Sequence, residues 1–247
     1  MALDTMIVGV APGEHPAKVT EAVAKVMEAD RIETIRNGPQ WPDSSQLARW
    51  ATLIKPTYKG TDNIKPKPMH PATIYAAFIH KKGQAYPVYQ YARQTTTQIA
   101  FIGIQQYCRD RFALTSGAIE CGGELLRLLE RWPDPVKPSQ VDICRDHLQP
   151  LPAYKNSRQY RTLCRQNKPK TMKGGGMYFK EKKGAYFALY VYPKHIKDRL
   201  TYPLIRVEVS TGSSYWNRHG YIEPGALLEF TADKVTSSAA RWADSLI

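Results

Sequence analysis

What this sequence is short of narrows its function first. Four cysteines stand in 247 residues, Cys108, Cys121, Cys144 and Cys164, and no two form a C-x-x-C pair. Neither a disulfide framework nor a zinc knuckle uses such spacing, so the expectation is four reduced thiols in a cytoplasmic protein. The six histidines, His15, His70, His80, His147, His195 and His219, supply no H-x-H or H-E-x-x-H pair, which argues against a histidine-held metal. No apolar run reaches the roughly 18 residues of a membrane span, and no basic-then-apolar leader opens the chain. No membrane partner is expected.

Acids are scarce as well, 22 Asp and Glu against 35 Lys and Arg, for a net charge of +13. The excess is concentrated. Between Lys155 and Arg199, thirteen basic residues meet only Glu181 and Asp198, so this stretch alone holds +11. A block that dense needs a polyanion to offset its self-repulsion, and nucleic acid is the partner it fits.

A hydrophobic content of 43% over this length supports one large domain or two modest ones. The opening "MIVGVAPGEHPAKVTEAVAKVMEADRIETIRNG" reads as a strand, a turn and an amphipathic helix. Val19, Ala22, Val23, Val26 and Met27 share one helical face, and Asn37-Gly38 ends the helix. The turn "APGEH" lacks the glycines and the Lys-Ser/Thr of a phosphate loop. A second helix is expected at "DSSQLARWATLIK", capped by Asp43 or Ser44, followed by a Pro- and Lys-rich loop, "KPTYKGTDNIKPKPMHP". The β-branched and aromatic runs "ATIYAAFIH", "AYPVYQYAR" and "TTTQIAFIGI" read as strands.

Next come an apolar helix, "GGELLRLLERW", a proline-rich break, and a strand, "SQVDICRD". A basic loop, "AYKNSRQYRTLCRQNKPKTMK", leads into the hairpin "GGGMYFKEKKGAYFALYVYPK". "TYPLIRVEVS" is a further strand, and "TADKVTSSAARWADSLI" a closing helix. No internal repeat stands out. The fold class expected is α+β, with a largely antiparallel sheet flanked by helices. Residues 1–60 read as an N-terminal helical or accessory region and 61–247 as the α+β domain, or the two as one continuous domain.

Along the hairpin, Tyr186, Ala188, Tyr190, Tyr192 and Lys194 alternate onto one face, with Phe187, Leu189 and Val191 on the other. Bases or sugars could lie on such rings, although tyrosine is also an ordinary strand former. In "LIRVEV", Arg206 and Glu208 share the face opposite Ile205, Val207 and Val209. Asp142 likewise faces away from Val141 and Ile143, with Asp146 about 13 Å further along a regular strand. Carboxylates on a basic surface either pair with arginine or hold a hard divalent cation.

Taken in order, these pieces resemble the rolling-circle replication initiators of Gram-positive plasmids and filamentous phages. That family carries R-x-D-x-x-x-D, a tyrosine strand of the form T-x-Y-x-G-S-R, then Y-D-K, then R-x-E. Here the counterparts are "QVDICRD" (Gln140 to Asp146), "GGGMYFKEKKG" with Tyr178, "YPK" (Tyr192 to Lys194) and "RVE" (Arg206 to Glu208). The similarity covers roughly Thr97 to Trp216. Gln140 stands for the leading Arg, Lys180-Glu181-Lys182 for G-S-R, and Pro193 for the Asp of Y-D-K.

The resemblance implies a replication-initiator-like fold and a protein that nicks and rejoins one DNA strand for rolling-circle replication of a plasmid or phage. Tyr178 would attack the scissile phosphate, leaving a 5′-phosphotyrosine link and a free 3′-OH. It further implies Mg²⁺ or Mn²⁺ held by Asp142 and Glu208, with Asp146 as a third ligand. Lys194 and Arg206 would clamp phosphate or orient the carboxylates, and Lys168, Lys170, Lys173, Lys180, Lys182, Lys183 and Tyr186 would contact DNA. The implied partners are a single-stranded or cruciform origin and a host helicase, in a bacterial cytoplasm. Two other readings stand beside this one. One is a non-catalytic DNA-binding protein on the same scaffold. The other is a basic structural or interaction protein that meets RNA or an acidic protein.

Overall fold

Alternation of apolar and polar side chains runs through most of this chain, and strands that alternate bury one face against helices. The computed structural model describes residues 2–54, 69–102, 123–166, 168–172, 175–180, 187–198, 200–227, 229–231 and 234. Its strands are β1 (Ala2–Val10), β2 (Arg31–Asn37), β3 (Thr73–Lys81), β4 (Gln84–Tyr91) and β5 (Thr97–Ile102), then β6 (Lys137–His147), β7 (Lys170–Thr171), β8 (Met177–Lys180), β9 (Phe187–Pro193) and β10 (Ile205–Thr211). They form a 10-stranded sheet in the order β2-β3-β4-β5-β1-β6-β10-β9-β8-β7. Its pairings are antiparallel. The helices are α1 (Pro16–Val26), α2 (Ser44–Ile54), α3 (Gly123–Arg131), α4 (Leu151–Lys155), α5 (Arg158–Gln166), α6 (Lys194–Asp198) and α7 (Ser213–Trp216). The α+β class expected from sequence is the class observed.

The strand order contains a repeat. Outward from the centre, β1-β5-β4-β3-β2 and β6-β10-β9-β8-β7 trace one path: a strand, a helical connection, then four strands returning to the first. The register places an approximate two-fold axis between the halves. Thr5 pairs with Asp142 and Ile7 with Gln140, on either side of the Met6–Val141 pair. Superposing Thr5, Met6 and Ile7 on Gln140, Val141 and Asp142 turns each of these pairs into the other. Continued across the sheet, the same exchange sets Gly9 on Cys144, Gln98 on Glu208, Tyr89 on Tyr190 and Ala76 on Tyr178.

One face of the sheet carries the main core. Met6, Val8, Val141, Ile143, Leu189, Val191, Val207 and Val209 pack there against Val19 and Val23 of α1, Leu125 and Leu128 of α3, Leu163 of α5 and Trp216 of α7. Burying side chains of this size contributes about 1.5–3 kcal/mol each. On the opposite face, the described residues form one apolar cluster, and it is confined to the first half. Trp50 of α2 packs on Phe78, Ala76 and Ile35, with the Trp50 and Phe78 rings 5.0 Å apart. Helix α2 is inserted between β2 and β3. In the second half, β7 and β8 are joined by residues 172–176 alone, too few for such a helix. The corresponding face there is lined with polar and phenolic groups instead.

Several expectations change. The first helix stops at Val26, because Glu28 takes a positive φ of 53° and turns the chain, and "RIETIRN" becomes edge strand β2. Of the two expectations for residues 1–60, an accessory region or part of one continuous domain, the central place of β1 in the sheet agrees with the second. The basic "loop" after Ala153 folds into α4 and α5. Tyr160, Leu163 and Cys164 recur at helical spacing on α5, and the Tyr160 ring meets Phe179 edge-on at 6.2 Å. The long proline-rich loop, the residues before Gly123 and the closing helix beyond Lys234 lie outside the described residues. Among the described residues, no helix is long and apolar enough to cross a membrane.

Candidate active site on the second half of the sheet

Antiparallel partners share a face, so register alone assembles this site. Lys170 on β7 pairs with Tyr178 on β8, and Tyr178 with Tyr190 on β9. Tyr190 pairs with Glu208 on β10, and Glu208 with Cys144 on β6. The five form a single row on the face away from the main core. Adjacent strands lie about 4.8 Å apart, so the Tyr178 and Glu208 backbones are about 10 Å apart, with Tyr190 between them. The Tyr178 and Tyr190 rings are tilted against each other with centroids 5.1 Å apart.

One step along the strands, Asp142 lies opposite Ser210. The Ser210 hydroxyl donates to Asp142 Oδ1 at 2.5 Å, and Gln140 Nε2 donates to Oδ2 at 2.9 Å. Thus Gln140, which stands where the resembled motif has arginine, still holds the acid by a hydrogen bond. The Asp142 carboxyl is pushed up to about 7, first by burial and then by the charge of Glu208; its two hydrogen bonds pull the other way. Glu208 in turn accepts a bond from the Tyr192 hydroxyl at 2.7 Å. Tyr192 and Tyr190 are both raised by burial. Tyr192 also feels Glu208, and Tyr190 feels Tyr178, Glu208 and Asp142. Two mutually repelling carboxylates thus lie beside three phenols.

Asp146 and Arg206 belong to a different arrangement. Arg206 Nε donates to Asp146 Oδ1 at 2.7 Å and Nη2 to Oδ2 at 2.9 Å, while Nη1 reaches Asp4 at 2.8 Å. Asp4 projects from a register shift of β1 between Leu3 and Thr5. Arg206 is 2% exposed. With both oxygens of Asp146 occupied by Arg206, this is an internal ion pair. We therefore leave Asp146 out of the candidate cation site and Arg206 out of the phosphate contacts. Because β6 runs unbroken from Lys137 to His147, one ion cannot reach both Asp142 and Asp146.

Of the remaining expected residues, Lys194 opens α6 directly after β9. Lys168 and Lys170 are exposed, with Lys170 on the edge strand. Lys180 closes β8. Lys173, Lys182, Lys183 and Tyr186 lie outside the described residues. Of the glycines before Tyr178, Gly176 serves strand packing: a Cβ there would lie 3.0 Å from the Tyr192 Cβ and 3.1 Å from the Val191 carbonyl oxygen.

The sequence reading missed Asp4, Ser210 and the structural weight of Tyr192. Asp4 could have been noticed as a lone charge in the apolar run "ALDTMIVGV".

Among the described residues, no group of three or more acid, His or Cys side chains could hold a metal ion. Mg²⁺ needs less, because it is often bound by one or two carboxylates with substrate phosphates and water supplying the rest. Asp142 and Glu208, each destabilised by the other, fit that sparse mode.

A stability prediction follows from Asp142. Its folded value of about 7 exceeds the ordinary 3.8, so the folded chain holds this proton more tightly than the unfolded chain. Stability from this group is fully present below pH about 4 and is lost as pH rises toward and past about 7. In chelator, wild-type unfolding free energy should fall between about pH 5 and pH 8, while that of Asp142→Asn stays flatter. At the upper end the variant should be the more stable by about 2–4 kcal/mol. Urea titrations across pH measure this, and equal slopes for the two proteins would contradict it.

No family model matches the chain, and no curated protein matches it. Among solved structures, a rolling circle replication initiator protein from Geobacillus stearothermophilus is similar at a TM-score of 0.48 and 12% identity. The match covers 95% of this chain and 79% of that one, a likeness too slight to carry an activity from one to the other.

Proposed function

We propose that this chain nicks and rejoins one strand of DNA through a 5′-phosphotyrosine intermediate, as an initiator of rolling-circle replication on a plasmid or phage origin. The observation that carries this reading is the row Lys170–Tyr178–Tyr190–Glu208, with Asp142 beside it. Separate segments of the chain converge there on one nucleophile type, one carboxylate pair and one exposed cation. The order of the motifs in the sequence supports the same reading.

In the forward step, the Tyr178 phenol loses its proton to solvent as its oxygen bonds to phosphorus. The P–O3′ bond breaks, and the departing O3′ takes up a proton. Rejoining reverses this, because a 3′-hydroxyl attacks the phosphotyrosine and Tyr178 leaves. The energy of the phosphodiester is kept in the protein–DNA bond, so no cofactor is consumed. Lys170, opposite Tyr178, and Lys194, at the end of β9, would hold the phosphates flanking the cut. Tyr190 supplies a ring against which Tyr178 is set, and Tyr192 orients Glu208. Asp142 and Glu208 would hold Mg²⁺ or Mn²⁺, which when bound polarises phosphoryl oxygens and takes up charge as it builds on the phosphate.

Binding without cleavage is the second reading, and one observation favours it: among the described residues the site offers two carboxylates rather than three. The test is to incubate the full chain with an end-labelled single strand and with supercoiled DNA, each with Mg²⁺, with Mn²⁺ and with chelator, before denaturing electrophoresis. A denaturation-resistant protein–DNA band that needs the cation is the expected result. Salt-sensitive binding with no such band on any DNA would leave binding alone. Failure to bind at low salt would overturn both readings.

A further inference from the structure

Helix α5 carries a charge arrangement that the candidate site does not use. Leu163 is buried in the main core, and Tyr160 and Cys164 pack against that core. The other side presents Arg158, Arg161 and Arg165, all exposed, at spacings of three and four. These positions share one helical face and span about 10 Å. From Leu148 to Lys180 the sequence contains no acid at all. Three arginines on other helices do meet carboxylates: Arg49 meets Glu33 at 2.9 Å, and Arg127 and Arg131 meet Glu28 at 3.0 and 3.1 Å. No ion pair to a carboxylate occurs for Arg158, Arg161 or Arg165 among the described residues.

The two-fold relation of the halves makes this asymmetry informative. Helix α1 occupies the corresponding connection in the first half, and there Lys18 and Lys25 are interrupted by Glu21. Helix α5, in the half that bears Tyr178, has basic residues and no acid, whereas α1 carries both signs. The basic path also continues toward the site. Lys168 and Lys170 follow α5, and Lys170 sits on the sheet edge opposite Tyr178.

We infer that α5 is a second nucleic-acid contact, a docking ridge for the phosphate backbone of duplex DNA next to the strand that crosses the sheet edge to Tyr178. The ridge offers guanidinium groups and no exposed ring among its outward residues, the composition of backbone contact rather than base stacking. The inference rests on the DNA reading above, but binding tests it without any need for cleavage.

The measurement is fluorescence anisotropy of the full chain with a blunt duplex oligonucleotide and with one of its strands, each over a range of salt. A variant combining Arg158→Gln, Arg161→Gln and Arg165→Gln should lower the slope of log affinity against log salt for the duplex by about 2–3. It should weaken duplex binding about 10- to 100-fold at low salt. Binding of the single strand and formation of the covalent adduct should be retained. Lys18→Gln/Lys25→Gln, on α1, should leave the duplex slope unchanged.

A wild-type slope in the triple variant, an equal loss in the α1 variant, or no duplex binding by the wild type would each overturn the inference. Thermal melting checks the fold. Should the triple variant melt early, each single substitution is expected to lower the slope by about 1. If the wild type forms no adduct but the slope change stands, the nicking reading fails and the ridge survives. The reverse pattern separates them the other way.

Discussion

Tyr178→Phe should remove the covalent protein–DNA adduct, with a rate loss on the order of a thousandfold or more, while the protein folds and binds DNA as before. The reasoning is chemical first. Phenylalanine keeps the ring that lies against Tyr190 but has no oxygen to bond to phosphorus, and loss of a covalent nucleophile leaves only residual positioning effects. The hydroxyl belongs to a half-buried ring on a polar face, so its removal costs the fold little. Tyr190→Phe is the informative companion. Tyr190 shares the row and is the nearer of the two to Glu208, but burial, the Tyr178 phenol and the carboxyls of Glu208 and Asp142 raise its phenol above the ordinary value. Its substitution should slow adduct formation modestly without removing it. If Tyr190→Phe removes the adduct and Tyr178→Phe does not, the nucleophile has been assigned to the wrong strand.

The largest expected effect on stability lies one pair of residues away. Arg206→Met should destabilise the protein by about 3–5 kcal/mol, because it leaves buried Asp146 and its neighbour Asp4 without their cation. Breaking one side of a buried pair is costly, whereas replacing both sides with apolar groups often is not. Arg206→Met/Asp146→Leu should therefore recover part of the loss, with Asp4 still deprived of the guanidinium, and the cycle of single and double variants in urea denaturation isolates the coupling. A single variant within about 1 kcal/mol of wild type would mean that Arg206 is not the structural centre described here. Loss of DNA affinity with unchanged stability would return Arg206 to the role of a phosphate contact.

The sheet was legible because its signals are local. Val141 and Ile143 alternate with Asp142 and Cys144, and Leu189 and Val191 with Tyr190 and Tyr192, so faces could be assigned before any strand was paired. Tyr178, Asp142 and Glu208 were singled out from short motifs, and the register places them on one face. The sequence could not say that Asp146 and Arg206 bind each other, because a motif records chain spacing and their contact spans β6 and β10. The sequence of helices α4 and α5 reads as loop because eight basic residues from Lys155 to Lys180 obscure the apolar spacing of Tyr160 and Leu163.

The repeat was hidden for a related reason. "HKKGQAYPVYQYAR" (His80 to Arg93) and "EKKGAYFALYVYPK" (Glu181 to Lys194) share Lys-Lys-Gly and Tyr-x-Tyr at matching places, a trace too short to trust alone. The topology makes it meaningful. It also sets the halves apart: the counterparts of Asp142, Glu208 and Tyr178 in the first half are the neutral residues Ile7, Gln98 and Ala76, and Ala76 is packed with Trp50 of α2.

The most direct measurement is the identity of the residue joined to DNA. The full chain is trapped with a labelled single strand and Mg²⁺, digested, and the nucleotide-bearing peptide sequenced by mass spectrometry. The expected result is a 5′-phosphate on Tyr178, within the peptide that carries Met177 and Phe179. A nucleotide on Tyr190, Tyr192 or Tyr160, or a 3′-phosphate link on any tyrosine, would contradict it.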